Sequence, residues 1–157
     1  YGNAWYAIHW DNNDGKFSDD KQAIESRVKI ANFIDEVISA YSVDADNVTL
    51  LGFSQGSILS YAVALSYPEK VKNVIALSGY VNQGILKEGF EKNDFSKLAF
   101  YCSHGSQDQV IPVQWARLNK PFLDKLKIEN TYSEFPVGHG VAPQNFYEFR
   151  TWLKERI

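Results

Sequence analysis

Apolar residues recur at intervals of three and four at Ile24, Val28, Ala31, Ile34, Val37, Ile38 and Tyr41, behind a Ser18-Asp19-Asp20 cluster. That period, with capping side chains in front of it, predicts a helix from Asp19 onward whose apolar face covers a sheet. The period then changes. Val48 to Phe53 is a short apolar run entered from Asp46-Asn47, and Ile58, Ala62 and Leu65 return to helical spacing before Pro68. Strand, tight turn and helix are therefore expected in that order.

The alternation continues with apolar runs at Val74 to Leu77 and Leu98 to Cys102, each followed by a loop of polar residues and glycine. Runs that are apolar at nearly every position suit parallel strands covered on both faces. Pro112 opens a further helical pattern carrying Trp115, Leu118, Phe122 and Leu126, which Pro121 should kink or split. Thr131 to Phe135 reads as the last strand, and Pro143 opens a final helix with Phe146, Phe149 and Leu153 aligned. Residues 1 to 17, rich in aromatics and closing on Asp11-Asn12-Asn13-Asp14-Gly15, read as an irregular loop. Strands alternating with helices, without repeat or linker, predict a single domain over 1–157 with a mostly parallel sheet and helices on both faces.

Composition narrows the function. With 45% hydrophobic and 22% charged residues the chain reads as globular. A net charge of -3 and no Lys/Arg cluster argue against a nucleic-acid partner. No apolar stretch reaches the roughly 18 residues of a membrane span. Cys102 is the only cysteine, so no intrachain disulfide forms. That fits a reducing, cytoplasmic compartment, and its apolar run predicts a buried, inert thiol.

Gly52-Phe53-Ser54-Gln55-Gly56 matches GxSxG, in which a serine on a strained strand-to-helix turn holds its hydroxyl above the sheet. The five-residue pattern alone is weak, and a serine turn without chemistry would share it. The strand before it and the helix after it are the context the motif requires. Both glycines are expected at points where a larger side chain would collide with strand or helix. A serine nucleophile needs a base, and the base needs an orienting acid. Of three histidines, His9 lies in the opening segment and His104 ends a strand, where it could brace the next loop. His139, between Gly138 and Gly140, follows the last strand, at the end of an open α/β sheet where ligands bind. Asp108 lies between the two in the loop from His104 to Pro112, giving the order nucleophile, acid, histidine of α/β-hydrolases. Asp94 precedes its strand and Glu134 sits inside one, which makes them weaker acids. The backbone N–H of Gln55 is an expected oxyanion donor, and Trp5 and Tyr6 are candidates for lining an acyl pocket.

Together, Gly-Phe-Ser-Gln-Gly, the segment His104 to Pro112 (His-Gly-x-x-Asp-x-Val-Ile-Pro) and Gly138-His139 resemble the carboxylesterase/phospholipase family that includes acyl-protein thioesterases. The likeness runs from about Ala4-Trp5-Tyr6 to the end of the sequence. The resemblance implies an α/β-hydrolase fold, no metal or cofactor, and hydrolysis of small-molecule carboxylic esters or thioesters through an acyl-enzyme. Ser54, Asp108 and His139 match the family's triad, and Gln55 its donor after the nucleophile. Nothing here matches the family's earlier strands or the His-Gly-rich loop that supplies a second oxyanion donor. Further N-terminal sequence is thus expected to belong with this part, and residues 48 to 53 are expected at an exposed apolar sheet edge.

Overall fold

The computed structural model describes residues 3–11 and 15–157. Four strands, β3 (Thr49–Phe53), β4 (Asn73–Leu77), β5 (Ala99–Gly105) and β6 (Glu129–Phe135), form a fully parallel sheet in the order β3-β4-β5-β6. Before them, β1 (Ile8–Asp11) and β2 (Gly15–Ser18) pair antiparallel, with Ile8 opposite Ser18 and Asp11 opposite Gly15. This corrects the reading of residues 1 to 17 as an irregular loop. The cluster Asp11 to Gly15 is turn chemistry, but Tyr6, Ile8 and Trp10 alternate in front of it, and that period of two marks the first strand of a hairpin.

Helix α1 (Asp20–Ala40) begins where the capping cluster requires: Asp19 accepts a hydrogen bond from the Gln22 N–H at 3.1 Å. Helix α2 (Gln55–Ser66) is buried from Ser57 to Ser66, all round rather than on one face. Its serines keep this compatible with a core. The Ser57 hydroxyl donates to the Ser54 carbonyl at 2.9 Å and that of Ser60 to the Gly56 carbonyl at 2.7 Å, leaving neither unpaired.

Every residue of β4 and β5 is buried, and side-chain alternation sorts them onto two faces. Val74, Ala76, Phe100 and Cys102 face the larger core with α2 and Leu123, whereas Ile75, Leu77 and Tyr101 pack with Phe149 of α5 (Pro143–Lys154). Helices thus cover both faces. The helical pattern after Pro112 is split into α3 (Val113–Ala116) and α4 (Asn119–Lys125). Pro121 stands in the first turn of α4, where backbone N–H groups have no intrahelical acceptor and proline costs little. Leu118, expected on the covered side, falls at the break and is exposed.

Among the described residues β3 forms one edge of the sheet, and its Leu51 and Phe53 are exposed. No described helix is long and apolar enough to cross a membrane.

Candidate active site

Three loops leave the sheet at the C-terminal ends of β3, β5 and β6. Parallel pairing puts those ends side by side, so Ser54, Asp108 and His139 share one rim.

Ser54 joins β3 to α2 with φ 57° and ψ -118°, a conformation that a residue with a side chain seldom adopts. Its N–H donates to the Leu77 carbonyl of β4 at 2.9 Å, and its carbonyl accepts from the Ser57 and Ile58 N–H groups. The turn is therefore held from both sides. Gly52 makes it possible: a Cβ there would lie 2.6 Å from the Ser57 nitrogen and closer still to the Gly56 carbonyl. Gly56 differs from expectation, since a Cβ there meets no described atom within 4 Å. Within this part of the molecule only the first glycine of the motif is sterically required.

The other two loops are laced to one another. Ser106 N–H donates to the Phe135 carbonyl at 2.8 Å and Gln107 N–H to the Val137 carbonyl at 3.0 Å. Gly105 allows this approach, because a Cβ on it would overlap the Val137 and Gly138 carbonyls. In the resulting turn, Asp108 Oδ1 accepts the N–H groups of Val110 at 2.8 Å and Ile111 at 2.9 Å. Its Oδ2 lies 2.7 Å from Nδ1 of His139, whose Nε2 lies 2.9 Å from Ser54 Oγ. An ionised carboxylate only accepts, so Nδ1 carries the ring hydrogen and Nε2 is left to accept the Ser54 hydroxyl.

The Asp108 side chain is fully buried. Burial by itself raises its pKa, but the hydrogen bond from His139 and those from the Ile111 and Val110 backbone outweigh it, and the carboxyl is held below its ordinary range. The acid is thus ionised near neutrality. The His139 ring keeps 18% of its exposure and lies against Phe53, centroids 4.9 Å apart. Gln55 opens α2, and its N–H makes no backbone hydrogen bond among the described residues, as expected for the first turn of a helix.

One contribution went unseen in the sequence. The Gln55 carboxamide accepts from the Trp5 N–H at 3.0 Å and donates to the Tyr6 carbonyl at 2.8 Å, tying the opening segment to the serine turn. Its partners are about fifty positions away in the chain, so no local pattern announces them. Trp5 is half exposed and, with Val110 and Phe53, lines an open, largely apolar groove of about 1450 Å³ that reaches Ser54. Tyr6 is buried and forms part of the wall beneath. His104, at the end of β5, donates from Nε2 to the Ile111 carbonyl at 2.9 Å and so braces the Asp108 loop that follows it, the role its position in the sequence suggested. Glu134 is engaged by Arg117 at 2.7 Å and Asp94 by the Ser96 N–H, away from His139. The side chains of His9 and Trp10 lie outside the described residues.

A model of the phospholipase/carboxylesterase family matches residues 1–157. Acyl-protein thioesterase 1 of Kluyveromyces lactis is 34% identical over 127 residues, covering 78% of this chain and 54% of that protein. Acyl-protein thioesterase 1 of Saccharomyces cerevisiae is 30% identical over 168 residues, covering 98% and 69%. A probable carboxylesterase of Oryza sativa subsp. japonica is 24% identical over 156 residues, covering 98% and 58%. The chain spans little more than half the length of several curated relatives it matches. Among solved structures, Arabidopsis thaliana SOBER1 superposes with a TM-score of 0.78 at 21% identity, covering 98% of this chain and 73% of that one. The Bacillus cereus carboxylesterase gives 0.80 at 16% identity, covering 90% and 65%. The parallel sheet with helices on both faces is that of an α/β-hydrolase.

Proposed function

Because the chain belongs to the phospholipase/carboxylesterase family, we propose that it carries the catalytic machinery of a serine hydrolase for carboxylic esters of small to medium acyl chains. The observation that supports this most directly is the unbroken hydrogen-bonded path from Ser54 Oγ through His139 to the buried Asp108. Ser54 attacks the acyl carbonyl while His139 Nε2 takes its proton. The tetrahedral oxyanion draws on the Gln55 N–H at the positive end of α2. Collapse expels the alcohol, which receives the proton from His139, and leaves the acyl group on Ser54. Water, deprotonated by the same nitrogen, then releases the acid. Asp108 remains ionised throughout and holds the imidazole in the required tautomer.

A thioester substrate is the second reading, favoured by the names of the yeast relatives. Fold and triad do not select the leaving group, so rates on matched ester, thioester and amide substrates decide between esterase, thioesterase and peptidase. Trp5 is assigned the acyl side of the site. Trp5→Ala should shift chain-length preference, whereas a change in melting temperature alone would return Trp5 to a packing role.

The primary test is intact mass after treatment with a fluorophosphonate, wild type beside Ser54→Ala. One adduct on the wild type and none on the variant is expected. A folded wild type that takes no adduct but binds an acyl ligand would instead make this an acyl-binding module without turnover.

A further inference from the structure

His104 takes no part in the proton transfers proposed above, yet it is the second imidazole beside the triad acid. Its side chain has no solvent exposure, and Nε2 lies 2.9 Å from the Ile111 carbonyl oxygen and 3.2 Å from Asp108 Oδ2. Both are acceptors, so the ring hydrogen sits on Nε2. Nδ1 is buried without a partner among the described residues. The geometry therefore gives Nε2 the donor role toward the Ile111 carbonyl and Asp108.

Ile111 is gripped at both of its polar backbone atoms. Its N–H donates to Asp108 Oδ1 at 2.9 Å and its carbonyl accepts from His104. The positive end of the same Nε2–H also lies beside Oδ2, the oxygen that receives His139. On the other side, His104 is in register with Glu134 of β6, whose carboxylate is engaged by Arg117 and Tyr132. That leaves the ring to serve the Asp108 loop alone.

We propose that His104 is a positioning residue for the triad, an imidazole whose Nε2–H fixes the Ile111 peptide and through it the aim of Asp108 at His139. The proposal rests on the Ser54–His139–Asp108 reading. Losing the Nε2–H frees the Ile111 peptide to turn, removes one fixed donor from Oδ1, and loosens the 2.7 Å contact that holds His139. Displacements near 1 Å in such a site cost up to about 100-fold in rate.

The test is the second-order rate constant for fluorophosphonate acylation in the full-length protein, for wild type, His104→Leu and His104→Gln. Leucine fills the space without a donor, and glutamine can place an N–H near the position of Nε2. A fall of about 10- to 100-fold in His104→Leu, largely restored in His104→Gln, is expected. A folded leucine variant that reacts like wild type overturns the proposal, as does a glutamine variant as slow as leucine. A second measurement uses the wild type alone, the long-range proton–nitrogen spectrum of the His104 ring at neutral pH, which reports which ring nitrogen carries hydrogen. A hydrogen on Nε2 is expected, and a ring whose Nε2 carries no hydrogen overturns the proposal. This spectrum decides even where a variant does not fold. A wild type that takes no label fails the Ser54 reading instead, and the ring signature still judges His104 separately.

Discussion

Gly52→Ala isolates the steric basis of the serine turn. The added Cβ would stand 2.6 Å from the Ser57 nitrogen and closer to the Gly56 carbonyl, both main-chain atoms of the first turn of α2. Ordinary contact for such a pair begins at 3.4 Å, so strand and helix must separate by about 1 Å. Neither side gives easily. Gly52 is in register with Ala76 of β4, and α2 is packed on all sides. Overpacking of this kind costs about 1–3 kcal/mol, which for a domain of this size lowers the melting temperature by roughly 2 to 12 °C. Ser54 lies between the two elements that part, and its 2.9 Å hydrogen bond to His139 would stretch beyond bonding distance. A loss of about 100-fold in acylation rate follows. The assay pairs a thermal melt with the rate of fluorophosphonate labelling. Gly56→Ala, whose Cβ meets no described atom, is the matched comparison and should cost much less. A Gly52→Ala protein with wild-type melting temperature and labelling rate would refute the steric argument.

Asp108→Asn preserves shape but can present a donor to His139 Nδ1, favouring the wrong tautomer. Turnover should fall on the order of 10⁴-fold, and steady-state kinetics on an ester substrate would expose an error if the loss were under tenfold. The same carboxyl makes stability depend on pH. Its folded value lies below the ordinary one of about 3.9, so the unfolded chain takes the proton first. The stability contributed by Asp108 is therefore complete above about pH 4 and is lost as pH falls through the folded value. Urea midpoints of wild type and Asp108→Asn should converge on acidification, and divergence would contradict this sign. Burial pushes the Cys102 thiol up to about 12, so iodoacetamide should leave the native protein unmodified and label it after denaturation. Mass spectrometry reads the outcome, and rapid native labelling would show that β5 opens.

Much of this molecule is written in short-range periodicity. The spacing from Ile24 to Tyr41 marks α1, and the apolar runs ahead of Ser54 and His104 mark β3 and β5 within a few residues. The hairpin at Ile8–Ser18 was obscured because turn-forming residues dominate its centre and its alternation is short. Burial of α2 on every side was hidden because its polar residues are small serines that satisfy themselves on the preceding turn. For the site, types and order of residues single out Ser54, Asp108 and His139, and the structure brings those three together. The Gln55 carboxamide and the His104 nitrogen left without a partner among the described residues belong to tertiary packing, which no motif encodes.

The rim shared by three strand ends also bears on how the molecule folds. Ser54 and His139 are 85 positions apart in the chain, and Asp108 and His139 are 31 apart. The serine turn, braced on α2 and β4, can form from neighbouring sequence, whereas the imidazole arrives only once β6 has docked on β5. Contacts of such long range close late, because loop entropy must be overcome before they contribute. Regain of acylation during refolding should therefore lag the recovery of helical signal, making the chemistry a clock for the last pairing in the sheet.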